Sequence, residues 1–382
     1  MKLHVASAGF LALFSWWNFG STEDSVPVSE PPPITSVETP AIPIIDNYIP
    51  DGLPFSHASP DLPLSEQLSG SCAACHSDIF EQWTHDPHRS GITSQKLLKE
   101  WSAHNSTPEC QNCHLPLFGQ QPMVSPTFVS GDPTQPIPIP NPNFKPNLYV
   151  ESVGCASCHI RDGKIVGQTS TSAPHTIVHS NSLSQSIACH SCHQGQPAGY
   201  ADPIYNTYAE WESSSFAKAG VQCQDCHMSK IPTTTSLVGT VTQANHGMSL
   251  SIRQALRVEW VDAPTIIQRG VLANFNVTII NSGAGHAIPT GSPFEDNKFL
   301  FEVIQNGKNL QKPIEHRMGI VFSDDAPKKI IERSVIPADG TLSFQIPVNI
   351  GQKKLTGRAV LRISYVERDN PSTLVEYPIE IR

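Results

Sequence analysis

Every one of the ten cysteines in this 382-residue chain lies in a Cys-x-x-Cys-His pentapeptide. The five copies carry Cys72, Cys75 and His76; Cys110, Cys113 and His114; Cys155, Cys158 and His159; Cys189, Cys192 and His193; and Cys223, Cys226 and His227. Two thiols three residues apart can add across the two vinyl groups of one haem, and the adjacent imidazole then meets the iron. Chance would give about 0.01 such pentapeptides in a chain of this length. Zinc ribbons do not require a histidine after every second cysteine. A thioredoxin-like site would be one pair near a strand-to-helix junction, and ferredoxins use tighter cysteine runs. The spacing therefore predicts five covalent haem c groups, each with one proximal histidine.

The sixth ligand decides what such irons can do. Two strong-field imidazoles close an iron to everything but electrons, whereas an open position binds substrate. Of 16 histidines, five lie in the motifs and His4 near the N-terminus, which leaves ten candidates for five positions. His88, in Trp83-Thr84-His85-Asp86-Pro87-His88, is the first choice, with His85 as its substitute. His175 and His179 are four apart, but Pro174 and the β-branched Thr176, Ile177 and Val178 favour an extended loop there. His246 sits in Asn245-His246-Gly247 at the end of the motif region, and His286 in the glycine-rich run 283–291. Those glycines permit close backbone approach to a large flat ligand. His57, His104, His190 and His316 are reserves. Met228 adjoins His227 and cannot reach the opposite face of the same iron.

The elements that must position these groups divide the chain into four: a signal peptide or N-terminal anchor over 1–20, a Pro-rich arm or linker over 21–64, a pentahaem domain over 65–247, and a β-domain over 248–382. About 36 residues per haem are too few for five separate pockets, so the porphyrins are expected to touch one another. The motif region is expected to be loop-rich with sparse helices: Ser77–Trp83, Ser94–Trp101, and Thr207–Ala219, the last with a Thr207/Glu210 capping box and a stop at Gly220. After Met248 the hydrophobic period becomes two, in 271–280, 342–348, 359–367 and 373–381, with a hairpin turn at Asn306-Gly307. The fold class expected is α+β: a multihaem domain followed by an antiparallel, immunoglobulin-like β-sandwich.

Composition agrees with a cofactor-filled core. Only 15% of residues are charged and 34 are proline. The formal net charge is -9, and haem propionates would add to it. No basic stripe opposes a phosphate backbone, which argues against nucleic acid and for redox partner proteins with a basic docking surface. The apolar run from Val5 to Trp17 has the length of a signal-peptide core. Export to the periplasm or cell exterior is expected, with membrane anchoring by the N-terminal segment if it is not cleaved.

Cys72 to His88 with Trp83 resembles the first haem segment of the tetrahaem cytochromes of nitrifying bacteria, although Asp86 stands where a serine is usual. Cys155 to His159, Thr207 to Trp211 leading to Cys223 to Met228, and Gly285-His286 with Pro289-Thr290-Gly291 resemble exported multihaem cytochromes that end in a β-domain. The resemblance implies an electron carrier with stacked, largely bis-histidine haems. Some such cytochromes form filaments in which a neighbouring subunit donates a ligand, and the arm with His57 suits that role. The reading is electron transfer rather than enzymatic catalysis. The alternative is a multihaem redox enzyme with one open haem acting on a small nitrogen or sulfur compound, and a further option makes the β-domain a binding module.

Overall fold

The computed structural model describes residues 63–103, 109–132, 135–168, 175–197, 199–235, 239–351 and 355–382, all within one compact unit. The expected signal segment, nearly all of the arm, and His57 and His104 lie outside them. The architecture is α+β, with sparse helices and mostly antiparallel sheets. No described helix is long and apolar enough to cross a membrane.

From residue 63 to about 250 the described helices are short, from one turn in Pro146–Tyr149 to about two and a half in Gln95–Ala103, with Ser77–Thr84 between them. Buried side chains are few, and backbone groups are satisfied by side-chain amides. Gln121 donates to Leu115 O, and Asn141 to Phe118 O and Gln121 O. Trp83 is buried and donates its indole N–H to Val153 O at 2.9 Å. This region also holds strands that the sequence reading did not anticipate. Met123–Phe128 pairs with Pro136–Pro140, and Lys230–Thr235 with Gly239–Ala244. Prolines at alternate positions of 136–140 leave Ile137 and Ile139 to pair, which suits a two-stranded ribbon with open edges.

The expected single helix over 207–219 is instead two, Thr207–Ser213 and Ser215–Lys218, broken where Ser214 becomes extended and caps the second. The expected capping box does not form. Thr207 Oγ bonds Thr290 Oγ at 2.8 Å, and the Glu210 carboxylate accepts from the Ala287 N–H and the Thr290 hydroxyl. Tertiary partners on the β-domain outcompete the local cap. Gly220, at φ +79°, does end the helical run.

After Leu256 two sheets enclose one hydrophobic core. In the smaller, Ala273–Asn281 lies between Thr341–Val348 and Leu256–Asp262. In the larger, the order is Ile330–Ser334, Ile314–Phe322, Asn297–Gln305, Gly357–Glu367, Asn370–Ile381, then Ile266–Ile267 in parallel. Alternation aims Phe275, Val277 and Ile279 from one sheet at Phe299, Phe301, Leu361 and Ile363 from the other. Asn306 and Gly307 both take positive φ, as the hairpin turn requires.

Candidate haem-binding site

Four of the five motifs lie wholly within a short helix: Glu109–His114, Cys155–His159, Ile187–His193 and Cys223–His227. The first begins in Ser69–Ala73, and its His76 precedes Ser77–Thr84. A helical turn puts residues three apart on one face, so the two thiols of each pair share a side. None of the ten is in a disulfide.

Four motif histidines each face one histidine from outside the motifs. Ring centroids are 6.4 Å apart for His76 and His175, 6.1 Å for His88 and His193, 6.2 Å for His159 and His246, and 6.2 Å for His227 and His286. Two imidazoles bound at about 2.0–2.1 Å on opposite sides of a metal would have centres roughly 6 Å apart, once each ring's radius of about 1.1 Å is added. Among the described residues no three His, Cys, Asp or Glu converge on a point that could hold a bare ion. Two axial imidazoles with no further protein donors fit a metal whose equatorial positions are filled by a porphyrin.

The ring nitrogens agree. Nδ1–H of His159 donates to Val166 O, of His227 to Met248 O, of His246 to Ala244 O and of His286 to Ala287 O, at 2.9–3.0 Å. His88 Nδ1 lies 2.7 Å from the Asp86 carboxylate. Each bond leaves Nε2 with its lone pair. The buried Nδ1 atoms of His76 and His175 have no partner. Burial lowers the basicity of most of these rings, to about 4 for His114, His193 and His246, and keeps them in the neutral form that binds metal. His88 departs from this. Burial works to lower it, but Asp86 outweighs burial and raises it above the ordinary value.

The remaining candidates are placed otherwise. His179 is exposed, with Nδ1 bonded to Gln168 O and Nε2 to Asn181 Oδ1. His85 is exposed beside Glu81, His190 packs its ring on Tyr208 at 4.4 Å, and His316 sits between Ser334 and the Phe344 ring. The glycines near His286 approach protein. A Cβ on Gly285 would lie 3.2 Å from Trp211 Cδ1 and 3.1 Å from Phe216, and one on Gly283 would strike Gln254 O. His114 is packed with its Nδ1 against Gly91, and among the described residues no second imidazole is paired with it.

The thiols bring the motifs together in an order different from the chain. Thiols of different motifs lie next to one another: Cys72 beside Cys155, Cys113 beside Cys192, and Cys189 beside Cys223. The Cys189 thiol brings Cys223 down to about 7 against the opposing effect of burial. Cys158 is close enough to Cys192 and Cys189 to interact electrostatically with both. The spatial order is first, third, fourth, fifth, with the second motif beside the fourth.

A family model described as "Cytochrome c554 and c-prime" matches residues 71–132. This match supports a c-type cytochrome. It covers the first two motifs and His88, and with it covalent haem c, iron and electron transport are the supported chemistry. Cytochromes of this kind are typically exported. No curated protein matches the chain in sequence. Among solved structures, 34% of the chain is similar to the Pseudomonas fluorescens alkylpurine DNA glycosylase AlkC bound to abasic-site DNA, at 12% identity and TM-score 0.20, spanning 30% of that chain. A CARDB domain from Pyrococcus furiosus is similar over 34% of this chain and 86% of its own, at 12% identity and TM-score 0.20. A Listeria innocua β-glucosidase is similar over 33% and 16%, at 9% identity and TM-score 0.18. Scores of that size establish no shared fold, so the β-domain is described from its own strands.

Two partners were outside the reach of sequence reasoning. The Asp86 contact with Met248 and those of Glu210 with Ala287 and Thr290 are tertiary, and the one local signal was the Asp86 carboxylate two residues before a candidate ligand.

Proposed function

We propose that the chain is a pentahaem electron carrier, in the periplasm or outside the cell, whose first, third, fourth and fifth motifs hold bis-histidine haems. The axial pairs are His76 with His175, His159 with His246, His193 with His88, and His227 with His286. The observation that carries this reading is the matched spacing of 6.1–6.4 Å between one motif and one non-motif imidazole in four separate pairs. Haem supplies a one-electron iron couple at each position. The chain's own residues orient five of these imidazoles through Nδ1 bonds, bury most of the rings, and bring cysteines of different motifs together. Haems held at these motifs would be neighbours in the order 1–3–4–5, with the second beside the fourth, an arrangement that would suit electron exchange between them.

The two facing sheets with a shared core support an immunoglobulin-like sandwich as the second domain, from about 248 onward. Redox proteins with a basic docking surface remain the proposed partners, and the self-association reading rests on the sequence of the arm and its His57.

The test is expression of the full chain with haem-attachment machinery. A haem assay should give five haems per chain, with at least four low-spin irons by paramagnetic resonance. Fewer than five haems, or high-spin iron at any of the four named pairs, would overturn the assignment. A second reading is that one of the five irons keeps an open position. Such an iron would permit redox chemistry on a small nitrogen or sulfur compound. Carbon monoxide binding to one haem per chain would support it, and five low-spin irons refractory to carbon monoxide would exclude it.

A further inference from the structure

Of the five paired imidazoles whose Nδ1 makes a hydrogen bond, four donate to backbone carbonyls and one, His88, meets a charge. Asp86 is 3% exposed. Its Oδ1 accepts the His88 backbone N–H at 2.9 Å, capping Pro87–Ser90, and faces His88 Nδ1 at 2.7 Å. Its Oδ2 accepts the Met248 N–H at 2.7 Å. Two backbone donors thus fix the carboxylate whatever the imidazole does. With His88 Nδ1 beside the two backbone N–H groups, three donors face its two oxygens, the surroundings of an ionised carboxylate.

A carboxylate on Nδ1–H pushes electron density toward Nε2 and raises the ligand's basicity. A buried negative charge also favours the more positive, oxidised state of a nearby metal, with little screening by solvent or salt. Both effects act in one direction. The carbonyl partners of the other rings carry no net charge, and among the described residues His76 and His175 have no Nδ1 partner.

We propose that Asp86 is a redox-tuning residue that makes the His88–His193 position the most reducing of the four imidazole-paired haems. The inference rests on the ligation proposed above. The fourth motif adjoins the second, third and fifth, so the least readily reduced site lies at the junction and electrons reside on the branches around it. The same link reaches further. Met248 gives its N–H to Asp86 and accepts the Nδ1–H of His227, which ties a ligand of the fourth position to one of the fifth.

The experiment is a redox titration of the haem-loaded full chain, followed by paramagnetic NMR and electron paramagnetic resonance that resolve individual haems. Resonances of the His88 position are assigned with His88→Met. In the wild type this position should titrate lowest of the four. Asp86→Asn should make its reduction at least tenfold more favourable, about 59 mV for one electron, with smaller changes elsewhere. Titration of the His88 position above any of the other three overturns the proposal, as does a change below twofold in a low-spin Asp86→Asn protein. If Asp86→Asn detaches His88, the wild-type order alone decides. A high-spin His88 position in the wild type would overturn the ligation itself, whereas low-spin ligation with an unexceptional potential overturns only the tuning role.

Discussion

His227 and His286 face one another at 6.2 Å between ring centroids with their planes 24° apart, although one closes the last Cys-x-x-Cys-His motif and the other belongs to the β-domain. On the ligation proposed above, the strand region after 248 would supply one ligand of the haem array. Further hydrogen bonds reinforce the junction: Ile330 N–H to Asp202, Lys328 N–H to Gly199 O, and Ala201 N–H to Lys328 O. A partner-docking module tethered by a linker would need none of these.

His286→Ala should convert one low-spin haem to high-spin while all five haems stay attached, because the thioether cysteines are untouched. Paramagnetic resonance of the oxidised protein reads this directly. His179→Ala serves as the control and should leave the spectrum unchanged, since both His179 ring nitrogens already have protein partners. Equal spectra for both variants would remove His286 from the array.

Glu210 holds the loop that carries His286. Its carboxylate accepts from Ala287 N–H at 3.2 Å and Thr290 Oγ at 2.7 Å and lies 3.6 Å from Arg333. Glu210→Ala leaves those donors without their partner, at a cost of about 1–3 kcal/mol. Lower stability in denaturant is expected, together with high-spin iron appearing on warming before global unfolding. Glu210→Gln keeps an acceptor oxygen and should show a smaller loss and little high-spin signal. A Glu210→Ala protein with wild-type spin state up to its unfolding midpoint would refute the positioning role.

The motifs were legible in the sequence because haem attachment is local chemistry: two thiols, one imidazole and a helical turn. Pairing was not, because it depends on how separate haems meet in space. His175 and His179 show the difference. Their spacing of four would suit one helix face, but in an extended chain at about 3.3 Å per residue they lie too far apart to serve one iron. The structure turns His175 toward His76 and leaves His179 to Gln168 and Asn181. The β-domain strands were legible because alternation over long runs specifies a sheet. The ribbon of Lys230–Thr235 and Gly239–Ala244 was hidden by its shortness, although its threonines, Ile231 and Val241 were a usable signal. Thr207 and Glu210 look like a cap in sequence and are taken by Thr290 and Ala287 instead, a competition that no local pattern reveals.

The β-domain core should be coupled to one haem position. Phe275 is fully buried and packs edge-on to Tyr377 and Trp260. Phe275→Ala should cost about 3–5 kcal/mol from lost contacts and the cavity left behind. Monitored by low-spin absorption during thermal unfolding, the His227 position should be the first to lose its sixth ligand, because His286 belongs to the weakened unit. Simultaneous loss at all positions would mean that the two regions unfold as one.

Cofactor removal should separate the two kinds of order. The large core cluster runs from Leu256 to Ile381 and includes no cysteine, whereas the other cluster of buried apolar residues among the described residues is Leu117, Ala156 and Ile160. A porphyrin-free motif region therefore has too little buried apolar surface to offset its conformational entropy. Full-length chain produced without haem attachment should show slow amide exchange confined to strands such as Ala273–Asn281, Asn297–Gln305 and Gly357–Glu367, with unprotected amides from 63 to about 250. The haem-loaded protein should instead protect Cys155–His159 and Ile187–His193, where the fourth motif packs against its neighbours. Strong protection of those two helices without haem would show that the polypeptide orders the site by itself and the cofactor merely fills it.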